Sequence, residues 1–134
     1  MQMSGHKLST AEIQFFDGHE ESLPLYEIFA GRLFSVFPDA GIRVQKTQIT
    51  FTNPKVFACV SFLKARKAKD RPKSFIVVTF GLDHPVEFPR IDAAVEISQK
   101  RWTHHVTVDC PEEIDDELME WVKEAYLLSA GKVR

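Results

Sequence analysis

Two runs constrain this chain more than any other feature: Val56-Phe57-Ala58-Cys59-Val60-Ser61-Phe62-Leu63 and Phe75-Ile76-Val77-Val78-Thr79-Phe80-Gly81-Leu82. Side chains alternate across a strand, so Val56, Ala58, Val60 and Phe62 point one way while Phe57, Cys59 and Leu63 point the other. In the second run Ile76, Val78, Phe80 and Leu82 oppose Phe75 and Val77. Both faces read as apolar, whereas an antiparallel sheet with one wet face alternates apolar and polar residues. Two apolar faces need cover on both sides. Either the helices divide between them, or one face curls over itself, takes a ligand or packs on a second subunit. The face lined by Phe57, Cys59, Leu63, Phe75 and Val77 is expected to be enclosed first by a curved sheet with a pocket, and second by a homodimer partner.

Three helices flank these strands in the pattern. Ser9-Thr10-Ala11-Glu12 is a capping box at a helix start, and Gly18 closes that helix. A longer helix follows, with Pro24 in its first turn, Tyr26, Phe29, Leu33, Val36 and Phe37 at helical spacing, and Pro38 as its stop. From Ile42 the period becomes two. A hairpin pairing Val44 with Ile49 and Ile42 with Phe51 restores one apolar face, and Asn53-Pro54-Lys55 is the next turn. Lys64 to Lys73 reads as a solvated loop, Ala93 to Ile97 and Arg101 to Asp109 as further strands. Pro111 is expected at the first position of a last helix, with Cys110 as its N-cap. The acids from Glu112 to Glu117 compensate its dipole, and Ile114, Leu118, Trp121, Val122, Ala125 and Leu128 make its apolar stripe. The expectation is one α+β domain, 1–134 with 1–8 flexible: two N-terminal helices, an antiparallel sheet of five or six strands, and one C-terminal helix.

With 134 residues the chain buries enough surface to fold without disulfides, and no apolar run approaches the ~18 residues of a membrane span. Its start, MQMSGHKLSTAE, lacks the pattern of a secretory signal, which predicts a cytoplasmic protein with Cys59 and Cys110 reduced. The net charge of -2 hides an uneven spread. Residues 1–40 carry six acids and two bases, residues 41–73 nine bases and one acid, and residues 74–134 twelve acids and six bases. A basic middle between acidic ends marks either a polyanion-binding edge or charge neutralised within the fold or across a dimer.

Adjacent histidines in a strand point apart, so His104 and His105 do not share a metal. His104, on the face of Trp102, Val106 and Val108, reads as a hydrogen-bonded core histidine or, alternatively, a pocket acid or base. His105, beside Arg101 and Thr103, reads as exposed or part of an anion contact. The cysteines read as structural, and the acid cluster Glu112 to Glu120 as a solvated helix face. The basic loop has no interleaved aromatics, so it lacks a stacking platform for single strands. There is no GxGxxG, P-loop, GxSxG or CxxC.

The segments Phe15-Phe16-Asp17-Gly18, Val44 to Phe51, Arg90-Ile91, Trp102-Thr103-His104-His105 and Glu117 to Tyr126 give the chain its one family likeness. It resembles an uncharacterised bacterial family of small α+β domains, a domain of unknown function sometimes labelled predicted transport protein. The resemblance implies an antiparallel sheet and carries no established activity or catalytic residues.

The functional expectation is a non-enzymatic binding module for a small anionic ligand beside the sheet. Lys46, Gln48, Arg90, Arg101, His104 and His105 are its expected donors, with no cofactor, no metal and no membrane partner. The alternative is a nucleic-acid-associated accessory domain using the basic segment 41–73. An enzyme with His104 as general base needs an acidic or nucleophilic partner that the sequence does not identify.

Overall fold

The computed structural model describes residues 6–129 except 54, 66–68 and 70. Part of the expected flexible start (1–5), Pro54 of the expected turn and part of the basic loop therefore lie outside the described residues. His6 is docked, its ring stacked on Phe34 at 4.4 Å, and Leu8 packs against the core.

Ser9 caps α1 (Thr10–Phe15) by the reciprocal box read in the sequence. Its hydroxyl accepts the Glu12 N–H at 3.1 Å and the Glu12 carboxylate accepts the Ser9 N–H at 2.6 Å. Gly18 then turns the chain at φ +83°, a conformation that side chains rarely adopt. A 3₁₀ turn (Glu20–Ser22) leads into α2 (Leu23–Val36), with Pro24 tolerated in the first turn because no intrahelical acceptor waits for its missing N–H.

Six strands follow: β1 (Gly41–Val44), β2 (Gln48–Thr52), β3 (Val56–Ser61), β4 (Ile76–Leu82), β5 (Ala93–Ser98) and β6 (Arg101–Val108). They form one antiparallel sheet in the order β1-β2-β3-β4-β6-β5. The first hairpin has the expected register, with Val44 opposite Ile49 and Ile42 opposite Phe51. Because β6 pairs with β4 and β5 lies outside it, the connection 83–92 has to pass β6 to reach the edge.

The last helix, α3 (Asp116–Ser129), begins later than the sequence suggested. Pro111–Glu113 form a separate 3₁₀ turn, and Asp115 rather than Cys110 caps the helix, its Oδ1 accepting the Leu118 N–H at 3.0 Å. A carboxylate oxygen satisfies the free donor of a first turn far better than a thiol.

Both long helices cover the same face. Phe29 and Phe34 of α2 meet Phe51 edge-on at 5.9 Å, while Trp121 of α3 stacks on Phe80 at 5.8 Å. Ile49, Val60, Ile76, Val78, Val106 and Val108 complete this core, all fully buried. The architecture is therefore α+β in two layers, with two N-terminal helices, a six-stranded sheet and one C-terminal helix. No helix is long and apolar enough to cross a membrane among the described residues.

The opposite face is less apolar than expected. A bulge between β2 and β3, where Phe51 faces Ala58 but Thr52 faces Val56, leaves Phe57 as the extra residue. It turns into the core, edge-on to Tyr126 at 5.1 Å and to Phe37 at 5.8 Å, and is only 3% exposed. Leu63 lies beyond the end of β3 and is 47% exposed, and Phe75 precedes β4. What remains of the second face in the register is Thr50, Cys59, Thr79 and His105 in one cross-strand row and Gln48, Ser61, Val77 and Thr107 in the next. Five of these eight side chains, Thr50, Cys59, Ser61, Val77 and Thr107, are nonetheless buried, so Val77 and Cys59 are enclosed as expected, while Gln48, Thr79 and His105 stay half-buried.

Candidate functional site

A groove of about 670 Å³ opens on this second face. Its floor is made by Gln48 (β2), Cys59 and Ser61 (β3), Thr79 (β4), and Thr103 and His105 (β6). Strand pairing sets them side by side, because residues opposite one another in an antiparallel ladder share a face. Lys46 and Thr47, in the turn between β1 and β2, form one rim, and Phe15, Asp17 and His19 from the end of α1 onward form another, with Phe62 and Leu63.

The floor is already hydrogen-bonded across strands. Thr79 Oγ1 lies 2.9 Å from His105 Nδ1, and the Cys59 thiol donates to Gln48 Oε1 at 3.6 Å. Gln48 Nε2 in turn donates to Gln45 Oε1 at 3.3 Å. Burial pushes the His105 imidazole below its ordinary value of 6.5, with the Asp92 charge pulling the other way. Burial also pushes the Cys59 thiol up, so it stays protonated and a poor nucleophile. Lys46 stands exposed, and no ion pair among the described residues engages it.

Three of the six residues expected to bind ligand, Lys46, Gln48 and His105, meet here. The other three do not. His104 is fully buried in the core layer, stacked on Phe80 at 5.2 Å, and its Nε2 accepts the Val86 N–H at 3.0 Å. That bond ties the 83–92 connection to β6. Burial holds His104 below 6.5, so it sits neutral. Arg90 donates to both Asp115 oxygens at 2.9 and 3.0 Å, to Glu117 at 3.1 Å and to the Glu113 carbonyl at 2.6 Å, clamping the same connection to the start of α3. Arg101 lies, with Lys100 and Trp102, beside an adjoining depression of about 470 Å³ near the end of α3 that shares Cys59, Thr79 and Thr103 with the groove.

Sequence reading missed His19, Ser61, Thr79 and Thr103. The even spacing of Cys59 and Ser61, and of Thr103 and His105, placed each pair on one face. Only the pairing of β3, β4 and β6 sets them in adjacent rows. At the surface, Asp83, His84 and Glu124 bring possible ligand atoms within 4.8 Å of one another, but His84 is already paired with Asp83 at 2.7 Å and with Glu124 at 3.7 Å.

The fold and groove define a two-layer α+β domain whose two long helices cover one sheet face and whose other face carries the groove. A family model described as a domain of unknown function, DUF5655, matches residues 11–129, and the chain belongs to that family. The match runs from α1 to the last residue of α3, so it takes in every strand and all the groove residues. No curated protein and no solved structure matches the chain.

Proposed function

We propose that the domain is a non-enzymatic module that binds a small anionic ligand in the groove on the second sheet face. The observation that carries this reading is the juxtaposition of the unpaired Lys46 ammonium with a floor of hydroxyl, amide and imidazole groups from four neighbouring strands. A groove of this size falls in the range of small-molecule sites, which combine a few converging polar groups with apolar walls. Lys46 supplies the charge; Gln48, Ser61, Thr79, Thr103 and His105 supply direction. The protonated, buried Cys59 argues against nucleophilic chemistry there. Both cysteines are free, which is in keeping with a reducing cytoplasmic setting.

Proton–nitrogen NMR with inorganic phosphate or acetate as probe tests the reading. Shifts should cluster at Lys46, Gln48, Thr103 and His105, and Lys46→Ala should abolish most of them. Shifts confined to the Lys100–Arg101 depression would move the site. Arg43, Lys46, Lys55, Lys64 and Lys73 of the basic segment are exposed, so a short DNA or RNA duplex belongs in the same titration. Duplex binding that falls steeply with salt while the small anions leave the groove untouched would favour the accessory-domain alternative. A concentration-dependent change in sedimentation would instead point to a homodimer.

A further inference from the structure

The groove has a second chemical character beside its polar floor. Phe62, at the end of β3, is the hub of an aromatic ledge: His19 stacks on it at 4.0 Å with 16° between the planes, and Phe15 at 5.5 Å with 14°. Phe16 and Phe75 hold it edge-on, at 5.3 and 6.5 Å. Phe16 in turn packs on Tyr26 of the core at 5.3 Å, so the ledge is anchored from behind. Phe15, His19 and Phe62 all line the groove, and His19 is exposed. Such a ledge is built before any ligand arrives, which keeps the ordering cost of binding low.

Inorganic phosphate or a short aliphatic acid would use Lys46 and leave the ledge in water. A plain aromatic hydrocarbon would use the ledge and leave the floor's hydroxyls and amide unmet. A planar heteroaromatic ring fits both, because its face stacks on aromatic side chains while its edge carries donors and acceptors. We infer that the ligand is a planar heteroaromatic compound bearing an anionic group, its ring laid on the exposed His19 ring that Phe62 backs and its charge at Lys46. This rests on the anion-binding reading above and adds the chemistry of the other end of the ligand. Gln48 and Ser61, nearest in the register to the end of β3 that carries Phe62, are placed to meet the ring's edge. The ring discriminates between candidate anions, since phosphate and carboxylate groups alone are common to most metabolites.

Four probes separate the two claims: AMP, UMP, adenosine and inorganic phosphate, each titrated into the full chain by calorimetry, with NMR to locate the shifts. At least one nucleotide should bind more tightly than either adenosine or phosphate and shift His19, Phe62 and Lys46 together. His19→Ala, at an exposed position that leaves the core intact, and Phe62→Leu should each weaken that nucleotide roughly tenfold, about what loss of one stacked ring produces. Neither should change phosphate binding, and Lys46→Ala should weaken both probes. If phosphate binds as tightly as both nucleotides, or if His19→Ala leaves nucleotide affinity unchanged, the ring assignment falls and the anion site stands. Adenosine binding as tightly as AMP would overturn the anionic half. No groove shifts with any probe would overturn both.

Discussion

His104 shows how much one buried polar side chain decides. Its ring is packed flat against Phe80 and its Nε2 is the acceptor for the Val86 N–H, so it both fills the core and holds a connection in place. His104→Ala removes ring volume and leaves the half-buried Val86 N–H without its partner, a combination that costs roughly 3–5 kcal/mol. His104→Phe keeps the stack and loses the acceptor, but it also removes the buried Nδ1, which has no hydrogen-bond partner among the described residues, so it is expected to cost less, about 0.5–1.5 kcal/mol. Urea unfolding of the two variants checks this ordering; equal losses would mean that the ring's packing contributes nothing, and no loss in His104→Phe would mean that the Val86 bond contributes nothing. Glu12 is the acidic counterpart. It is 1% exposed and accepts hydrogen bonds from Tyr26 Oη and the Ser9 N–H, with His6 Nε2 at 2.9 Å. The capping box was legible in the sequence, but its carboxylate's second role, joining α1 to α2 through Tyr26, was not, because Tyr26 is fourteen residues away.

At the scale of the element, the bulge between β2 and β3 is the decisive feature. Strict alternation put Phe57, Cys59 and Leu63 on one face; the extra residue sends Phe57 to the helices and leaves Cys59 where alternation placed it. Phe57→Ser should therefore destabilise the fold by about 3–5 kcal/mol, the magnitude of an emptied aromatic site. Leu63→Ser, at an exposed position past the strand end, should stay within about 0.5 kcal/mol of the parent. Thermal or urea unfolding distinguishes the two, and comparable losses would show that Phe57 and Leu63 share one apolar face after all. The Arg90 clamp belongs to this scale as well. Its guanidinium fork reaches two carboxylates and a carbonyl, fixing where the 83–92 connection crosses to the sheet edge and thereby where β5 can pair.

For the whole molecule, the shifted groups define an acid profile. Burial lowers His104 and His105 below 6.5, so the unfolded chain binds protons more readily; the stability they contribute is complete above 6.5 and is lost as pH falls through their lower folded values. Burial works to raise Glu12, but the bonds from Tyr26, Ser9 and His6 outweigh it and hold the carboxyl below 4.5. Asp115 is likewise held below 3.8 against partial burial by the Leu118 N–H and Arg90. Their contributions are present above those ordinary values and disappear as pH falls through the folded ones. Glu113 acts the opposite way, since burial and the neighbouring Asp109 raise it and protonation relieves it. Urea midpoints should be level from pH 8 to 7, fall below about 6.5 and fall again below about 4.5. His104→Phe should flatten the first decline and Glu12→Gln the second. Constant stability between pH 7.5 and 5.5 would refute the buried neutral histidines.

The sequence by itself determined the helices, the strands and the first hairpin register, because capping, glycine and proline signals, and apolar periodicity all act over a few residues. Ser9-Thr10-Ala11-Glu12, Gly18, Pro38 and the Val44–Ile49 pairing each rest on such local physics. It also placed Lys46, Gln48 and His105 in the candidate set from residue type and strand parity. Only the tertiary structure decided that β6 inserts beside β4 and that Arg90 and His104 serve the 83–92 connection. It alone joined Cys59, Thr79 and His105 into one row beneath the His19–Phe62 ledge. Those outcomes depend on which strands pair and on a single inserted residue that reverses a side chain's face. Strand order and bulges are chosen by the packing of distant residues, and no local pattern encodes them.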